Sequence, residues 1–307
     1  MKVCFVGAGS IGKRHIRNLY QLSKDDNFPV EIHLLRSSDR KLDDDINGII
    51  SKVFHESGET DEFYDAIFIT NPTYLHYKTI LDMKDRSRFF FVEKPVFDDV
   101  NVDTSVLDEE NNTYYVACPL RYTRVLLRAK EILDKEKVLS VRATSSSYLP
   151  DWRPGTDYRT TYSAHKDQGG GVKIDLIHEW DYLIHLFGFP ESVKQFYGKY
   201  SELEIDSEDI AIYIAEYKDK LIELHLDYFG KLTQRYLEVI TTDNVYVFDI
   251  ANSNIKKNGS IVEEYNEKPN DKYMEEMRYF YKLTNNALPN VNSIRNAVNT
   301  MNIACEK

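Results

Sequence analysis

Three glycines near the start of the chain have a spacing that suits phosphate binding. Gly7, Gly9 and Gly12 form the pattern G-x-G-x-x-G, after the apolar run Lys2 to Val6 and before helically spaced apolar residues from Ile11 to Leu22. In such a turn the first glycine permits the tight bend, the second lets a pyrophosphate approach the backbone, and the third lets helix and strand pack closely. Helix-terminal amides then face the phosphates. The pattern predicts a dinucleotide-binding turn; a merely structural turn is the alternative.

Basic and hydroxyl side chains follow a second predicted strand, Val30 to Leu35. An acidic residue just past this strand would favour NAD, because it would bind the ribose hydroxyls. This chain instead has Arg36, Ser37, Ser38 and Arg40, which can hydrogen-bond to a 2′-phosphate and neutralise its charge. The sequence therefore favours NADP as cofactor, with NAD as the alternative, and a solvated basic turn is the other interpretation.

A glycine run at 169–171 precedes a predicted amphipathic helix from Val172 to Phe187. The polar side of this helix carries Asp175, His178, Asp181 and His185, while Lys173 and Glu179 fall toward the apolar side. Histidine and aspartate three residues apart could ligate a metal, but no third strong ligand has motif spacing, so no metal site is predicted. A solvated face is the ordinary interpretation of such a stripe. It is kept for His185, and Asp181 is interpreted as a structural hydrogen-bonding residue.

The segment before these glycines, Tyr148 to His165, is rich in aromatic and basic side chains and is predicted to form one wall of a pocket. Its arginines, Arg153 and Arg159, could bind a carboxylate or phosphate, or could pair with nearby aspartates, Asp151 and Asp157. Its aromatic side chains offer flat faces to a sugar ring or a base. These are Trp152, Tyr158 and Tyr162.

Strands and helices alternate through the first 121 residues, which predicts a parallel sheet wound on both faces. Ligands in such folds gather at the carboxyl ends of the strands. A predicted strand from Ala66 to Thr70 is followed by Asn71, Pro72 and Thr73, with His76 in the next helix. Another, from Phe89 to Val92, is followed by Glu93, Lys94 and Pro95. Lys94 is therefore expected at the ligand-binding edge.

Residues 122–307 are predicted to form a second domain. A helix around Val125 to Leu133 and a strand from Leu139 to Ser147 begin it, and successive antiparallel strands follow between 193 and 250. Apolar residues alternate on both sides of these strands, so we expect helices to cover one face and a second subunit to cover the other. The expected assembly is a homodimer or homotetramer, and closing helices are predicted at 272–283 and 291–303.

Composition narrows the possible partners. The 307 residues include 39 basic and 50 acidic side chains, a net charge of −11, which argues against nucleic-acid or anionic-membrane partners. Cys4, Cys118 and Cys305 lack the pairing of a disulfide framework or zinc site. No leader or apolar run of transmembrane length is evident. We expect a soluble cytoplasmic protein.

The motifs GAGSIG, NPTYLH, EKP and GGG with its Asp- and His-bearing helix together resemble the glucose-fructose oxidoreductase, inositol dehydrogenase and MocA (Gfo/Idh/MocA) family. The resemblance spans both halves of the chain. It implies a Rossmann domain followed by an α+β domain with a large, mostly antiparallel, open-faced sheet. It also implies hydride transfer to or from a sugar-like secondary alcohol.

The resemblance assigns roles by motif position. Lys94 would contact the reacting hydroxyl and the nicotinamide ribose, Asp175 would orient the substrate, and His178 would accept or donate the proton. Family members commonly place four positions between aspartate and histidine, whereas here the two residues are three apart. On one helix both spacings would return to the same face.

Two residue sets summarise these expectations. The expected cofactor-binding residues are Gly7, Gly9, Ser10, Ile11, Gly12, Arg36, Ser37, Arg40, Thr70, Asn71, Pro72, His76, Glu93 and Lys94. The expected substrate-binding residues are Arg121, Trp152, Arg153, Arg159 and Tyr162. The predicted enzyme is an NADP-preferring sugar dehydrogenase or reductase. Alternatives are an NAD-dependent glycosidase or lyase without net redox change, and a noncatalytic dinucleotide-sensing regulator.

Overall fold

The computed structural model describes residues 1–60, 62–107 and 109–305. Its strands are β1 (Lys2–Val6), β2 (Glu31–Leu35), β3 (Ile50–Phe54), β4 (Ala66–Ile69), β5 (Phe89–Val92), β6 (Thr113–Val116), β7 (Val138–Tyr148), β8 (Ser192–Gly198), β9 (Ile210–Glu216), β10 (Leu221–Asp227), β11 (Phe229–Thr241), β12 (Val245–Asp249), β13 (Asn254–Lys257) and β14 (Ser260–Glu264). Its α-helices are α1 (Ser10–Asp25), α2 (Asp44–Ile49), α3 (His76–Met83), α4 (Arg124–Leu133), α5 (Val172–Asp175), α6 (Ile177–Phe187), α7 (Asp271–Thr284) and α8 (Ile294–Cys305).

The chain divides into two compact units. The first contains Met1–Pro119 and Asn270–Asn299, and the second contains Leu120–Pro269 and residues 300–305. The expected division at 121/122 differs from this one mainly because residues 270–299 return to the first unit. In that return α7 packs against α1, and the fully buried Glu276 accepts hydrogen bonds from Tyr115 Oη and the Cys118 amide.

The first unit contains a six-stranded parallel sheet in the order β3-β2-β1-β4-β5-β6. The central strands β1, β4 and β5 are almost entirely buried, as expected for a parallel sheet covered on both faces. Their pairing aligns Val6 with Ile69 and Ile69 with Val92. The residues that follow these three strands therefore lie in one row along the carboxyl edge of the sheet.

The second unit contains an eight-stranded sheet in the order β14-β13-β12-β11-β7-β10-β9-β8. Its pairs are antiparallel except for β7 with β10, which run parallel. Along β9, Tyr213 and its small neighbours are buried, whereas Ile212 and Ile214 are exposed on the opposite face. The first and second units thus have the predicted architecture, a Rossmann-like domain followed by a mostly antiparallel, open-faced sheet.

The predicted helix from Val172 to Phe187 is wrong in one respect, because it is two helices. Leu176 has φ −99° and ψ 21°, so it ends α5 and begins α6. The Glu179 amide donates to the Leu176 carbonyl at 2.9 Å, a tight three-residue turn. Asp175 and His178 consequently lie on successive helices, and the argument that both return to one face of a single helix does not apply.

Within the described residues, no helix combines the length and the apolar character needed to cross a membrane.

Candidate cofactor cleft and catalytic residues

The glycine turn opens onto a cleft in the first unit with a volume of about 1260 Å³. Gly7 has φ +95°, and a Cβ there would lie 2.8 Å from Asn71 Cα, so the position requires glycine. A Cβ on Gly12 would lie 2.6 Å from the Gly7 carbonyl oxygen. A Cβ on Gly9 would meet no atom within 4 Å, so the backbone of this residue is open to the cleft. This is the arrangement that a closely approaching pyrophosphate requires.

Most of the predicted cofactor residues line this cleft, and the others do not. The lining includes Gly7, Gly9, Ser10, Arg36, Ser37, Arg40, Thr70, Asn71 and Pro72. The remaining predicted residues, Ile11, Gly12, His76, Glu93 and Lys94, lie outside it. The glycine turn and the end of β2 therefore contribute directly, and Gly12 contributes by letting α1 approach β1.

Thr70 braces the turn. Its hydroxyl donates to the carbonyl oxygens of Gly7 at 2.8 Å and Val6 at 3.1 Å, and only 4% of the residue is exposed. Asn71 lies next to it, with its side-chain nitrogen donating to Thr79 Oγ1 at 2.8 Å. The Asn71 Oδ1 atom is buried without a hydrogen-bond partner among the described residues. Polar atoms of this kind at the rim of the cleft fit a polar ligand.

The end of β2 is the basic part of the cleft. Arg36 and Arg40 line it together with Ser37, Ser38 and Lys41. An Arg36 side-chain nitrogen donates to the Arg40 carbonyl oxygen, which folds the segment back on itself. Within the described part of the chain, neither arginine forms a salt bridge with a carboxylate. The donor set fits the phosphates and ribose of a dinucleotide.

His76 lies outside the cleft that the glycine turn opens and is surrounded by protein groups. The ring is 1% exposed, and its nitrogens lie 3.0 Å from the Val96 carbonyl and 2.9 Å from the Asn71 carbonyl. Burial lowers the pKa of His76, so the ring is neutral and can donate to only one of these oxygens at a time. It braces the segments that follow β4 and β5.

Glu93 is also buried and holds neighbouring segments together through hydrogen bonds. Its Oε1 lies 2.6 Å from His15 Nε2, and its Oε2 accepts the Lys94 amide at 3.1 Å. Burial raises the pKa of Glu93, but the hydrogen bond from His15 and the nearby charges outweigh burial and leave the pKa below its ordinary value. The pair therefore connects α1 to the backbone of Lys94, and His15 was not singled out from the sequence.

Lys94 itself is different from its neighbours. It follows β5 on the same carboxyl edge as the glycine turn and is partly exposed, and its peptide bond to Pro95 is cis. Its ammonium group forms no hydrogen bond or salt bridge with the residues that the structure describes. A cation so placed is available to a ligand oxygen at the edge of the sheet.

In the second unit, Asp175 is held by a tyrosine. Its Oδ2 accepts the Tyr228 hydroxyl at 2.7 Å, and the residue is 7% exposed. Tyr228 lies between β10 and β11 and packs edge-on against Trp152, with ring centroids 5.2 Å apart. A carboxylate fixed in this way has a defined direction for its other oxygen, which suits an orienting role.

His178 lies in a cluster of charged groups. Its Nε2 is 3.1 Å from an Arg235 guanidinium nitrogen and 3.2 Å from Glu179 Oε1. Arg235 also donates to the same glutamate oxygen at 2.7 Å. The His178 side chain is 16% exposed, whereas that of Glu179 is fully buried. Neither Glu179 nor Arg235 was assigned a functional role from the sequence.

Two of the arginines expected to bind substrate form salt bridges with carboxylates of the protein. Arg121 forms a bidentate pair with Asp181, at 2.8 and 2.7 Å, and its side chain is 6% exposed. Arg159 pairs with Asp157 and Glu204, each at 2.8 Å. The structural interpretation therefore holds for Asp181, and the pairing considered for Arg159 is the one that forms. Both arginines are therefore paired with carboxylates in this structure.

The other three expected substrate residues have side-chain surface that a ligand could contact. Trp152 donates its indole N–H to Ser147 Oγ at 2.9 Å, which fixes the ring. Arg153 is exposed and lies over the ring of Tyr162, 5.3 Å from its centroid. Tyr162 is 42% exposed. The segment is ordered into short 3-10 turns, at Leu149–Asp151, Tyr158–Thr160, Tyr162–Ala164 and Lys166–Gln168.

Comparison with known proteins gives matches over both units. An oxidoreductase family model with an NAD-binding Rossmann fold (GFO_IDH_MocA) matches residues 1–117, and the model of its C-terminal α/β domain matches residues 130–297. Together these matches cover most of the chain.

Two curated relatives and a solved structure add detail. An uncharacterized oxidoreductase, YrbE, of Bacillus subtilis is 24% identical over 199 residues, 63% of this chain and 55% of the relative. The 2,7-anhydro-N-acetylneuraminate hydratase of Escherichia coli is 23% identical over 143 residues, 45% of this chain and 38% of the relative. The chain thus spans about half, or less, of the length of these relatives. The WlbA dehydrogenase of Bordetella pertussis, in complex with NADH and UDP-GlcNAcA, has a TM-score of 0.77 at 15% identity, covering 98% of this chain and 92% of that one.

Proposed function

Since the chain belongs to the Gfo/Idh/MocA family of oxidoreductases, we propose that it transfers a hydride between a nicotinamide cofactor and a sugar-like substrate. The reacting carbon would carry a secondary hydroxyl or a keto group in a sugar, a sugar acid or a nucleotide sugar. The observation that carries this proposal is Lys94, a cation with no protein partner among the described residues. It lies on the sheet edge where the glycine turn opens.

The chain's own residues then have separate roles. Lys94 donates a hydrogen bond to the substrate oxygen and stabilises the negative charge that develops there. His178 takes the hydroxyl proton as the C=O bond forms and the C–H bond breaks, and it returns the proton in the reverse direction. Asp175, fixed by Tyr228, orients a second hydroxyl of the substrate. When bound, the nicotinamide supplies the acceptor or donor of the hydride.

We further propose a preference for NADP over NAD. Arg36, Ser37 and Arg40 line the cleft at the end of β2, where an acidic residue would select NAD. The comparisons describe an NAD-binding Rossmann fold, so the preference rests on these side chains and not on the relatives.

Substrate binding is assigned to the segment that precedes the glycine run in the second unit. Trp152 and Tyr162 offer aromatic faces to a sugar ring, and Arg153 offers a guanidinium to an anionic group. This fits a sugar acid or a nucleotide sugar better than a neutral sugar. No disulfide joins Cys4, Cys118 and Cys305 in the described part of the chain, which fits a reducing compartment, and we propose the cytoplasm.

The test is a turnover screen. Sugars, sugar acids and nucleotide sugars are incubated with each oxidised and reduced nicotinamide, and nicotinamide absorbance is followed. Lys94→Ala and His178→Ala should each lower turnover by at least about a hundredfold while cofactor binding is kept. Near-normal turnover in either variant would remove that residue from the mechanism.

A second candidate function has its own support, because one matched relative is named a hydratase. In that case hydride would leave the substrate and return to it within one cycle, giving elimination or addition of water without net redox. Product formation by the purified protein with no net change in nicotinamide absorbance would favour this function. Stoichiometric change in absorbance would exclude it.

We also propose that the exposed face of the eight-stranded sheet forms the contact of a homodimer or homotetramer. Phe196, Ile212 and His225 form one row across β8, β9 and β10, and Phe196 is 75% exposed. Exposed apolar side chains as large as Phe196 and Ile212, paired on neighbouring strands, favour a protein partner over water. Light scattering after gel filtration should show more than one subunit, and Phe196→Glu should shift the protein toward monomer; a clean wild-type monomer would contradict the proposal.

A further inference from the structure

A fully buried carboxylate next to His178 calls for a functional explanation. Glu179 has no exposed side-chain surface, yet it lies on a helix that otherwise buries apolar residues. Burial of a charge is costly unless it is paired, and an apolar residue of similar size would fit such a position at lower cost. Burial raises the pKa of Glu179, but Arg235 and the His178 hydrogen bond lower it to about 2. The carboxylate is therefore ionised at neutral pH.

Arg235 reaches the cluster from the sheet. Along β11 the covered face carries Leu237, Val239 and Thr241, and Arg235 precedes them with the same two-residue period. It is partly exposed and pairs in register with Ser145 of β7, which is buried. The guanidinium is thus placed by strand register on the side of the sheet that faces the helices.

The two charged groups act on His178 in opposite directions. Glu179 Oε1 can accept the Nε2 proton at 3.2 Å, which favours the protonated ring. The Arg235 nitrogen at 3.1 Å can donate only to an unprotonated Nε2, and its charge disfavours the imidazolium. The charged groups in contact with the imidazole in the second unit include Glu179 from α6 and Arg235 from β11, while Tyr182 faces the glutamate.

We infer that Glu179 and Arg235 are positioning residues that together set the protonation equilibrium and the ring orientation of His178. The inference rests on the proposed function, in which His178 exchanges the substrate proton. The two charged groups contact the same ring nitrogen, Nε2, and oppose each other there. Glu179 stabilises the imidazolium after the proton arrives, and Arg235 keeps Glu179 ionised and releases the ring when the proton leaves.

The experiment is an NMR titration of the histidine side chains in the full-length protein, with His178→Gln used to assign the signal. Glu179→Gln should lower the pKa of His178 by about one unit, because the carboxylate is lost while the cation remains. Arg235→Gln should raise it by about one unit, and Arg235→Lys should stay near wild type. A purely structural role predicts no such opposite shifts.

Controls keep the outcomes separate. Glu238→Gln removes the same charge from β11, from a carboxylate that pairs with Arg142, and should leave the His178 signal unchanged. If Glu179→Gln does not fold, the Arg235→Gln and Arg235→Lys pair still tests the sign. Shifts of one direction in both variants, or no shifts, would overturn the inference. Opposite shifts in a protein whose turnover does not need His178 would instead overturn the proposed function.

Where turnover is measurable, the same variants should change its pH profile. The acid limb of kcat/KM should move down by about one unit in Glu179→Gln and up in Arg235→Gln, with KM for the cofactor little changed. Equal losses at every pH would indicate that the pair only supports the fold.

Discussion

The candidate residues of the first unit are placed by backbone geometry, whereas those of the second unit are placed by side-chain pairs. Gly7 and Gly12 face backbone atoms that a Cβ would overlap, and Lys94 follows a strand whose register sets its place on the sheet edge. In the second unit, Asp175 is held by Tyr228 and His178 by Glu179 and Arg235. Backbone placement can be recognised from short motifs, but pairing between distant side chains cannot.

The largest expected effect concerns the arginines of the second unit. Arg121→Ala should lower the free energy of unfolding by about 3 kcal/mol, because it removes both hydrogen bonds of the bidentate pair from the mostly buried Asp181 carboxylate. Arg159→Ala, which breaks an exposed pair, should leave stability unchanged within error. Urea unfolding followed by circular dichroism measures both.

If Arg121→Ala is as stable as Arg159→Ala, the buried pair does not fix the second unit, and the contrast between the units fails. Asp181→Asn changes the other residue of the pair and is the matched variant. It should also lower the free energy of unfolding.

A smaller effect is expected from His185. Burial and the charge of Arg121 lower its pKa to about 4, against an ordinary value of about 6.5. The unfolded chain therefore binds more protons between these values, and stability should fall as pH decreases from about 6.5 to about 4. After allowance for partial solvent exposure, we expect this histidine to account for about 1 to 2 kcal/mol of that loss.

His185→Gln should remove this component, so its stability should depend less on pH than that of wild type. His55→Gln, at an exposed position, is the control and should follow wild type. Identical pH dependence in His185→Gln and wild type would show that the imidazole is not held neutral by the fold.

The smallest expected effect tests the first unit. Arg36→Ala should weaken NADPH binding about tenfold and leave NADH binding nearly unchanged, because one charge-assisted hydrogen bond to the 2′-phosphate is lost. The change is modest because Arg40 and Lys41 also line the cleft. Equal weakening of both cofactors would mean that Arg36 supports the segment and does not select the phosphate.

Much of this arrangement could be predicted from the sequence, for physical reasons. The glycine spacing has few structural solutions, and alternation of strands and helices implies a parallel sheet with its ligands at one edge. The parallel sheet is confirmed, as are the Rossmann-like architecture followed by a mostly antiparallel sheet and the family, while phosphate binding at the glycine turn stays a prediction. Lys94 was predicted at the correct edge because parallel register carries it there.

Other features of the candidate site could not be predicted, because they depend on contacts between residues far apart in sequence. Arg121 and Arg159 have the same chemistry as Arg153, and only folding shows that carboxylates occupy the first two. His76 has a side chain of a type that can bind ligands, but its ring is buried between two carbonyl groups. The break at Leu176 has no glycine or proline signal in the sequence. The residues on its two sides, Asp175 and His178, contact Tyr228 and Arg235, which are distant in the chain.

Arg235 illustrates a signal that is present in the sequence but can be interpreted only when the bounds of β11, Phe229–Thr241, are known. Extending the two-residue period of Leu237 and Val239 backward places this arginine on the covered face. A charged residue in that pattern needs a buried partner, and Glu179 on the apolar side of its helix is the matching irregularity.

Binding of a nicotinamide dinucleotide in the glycine cleft is tested most directly by fluorescence titration with NADPH and NADH. Wild type should bind at least one of them saturably. Gly12→Val should bind at least about a hundredfold more weakly, because its Cβ would overlap the Gly7 carbonyl oxygen and displace the turn. Gly9→Ala, whose Cβ meets open space, should fold like wild type and lose less. Absence of saturable binding by wild type, or equal binding by folded Gly12→Val, would contradict the account.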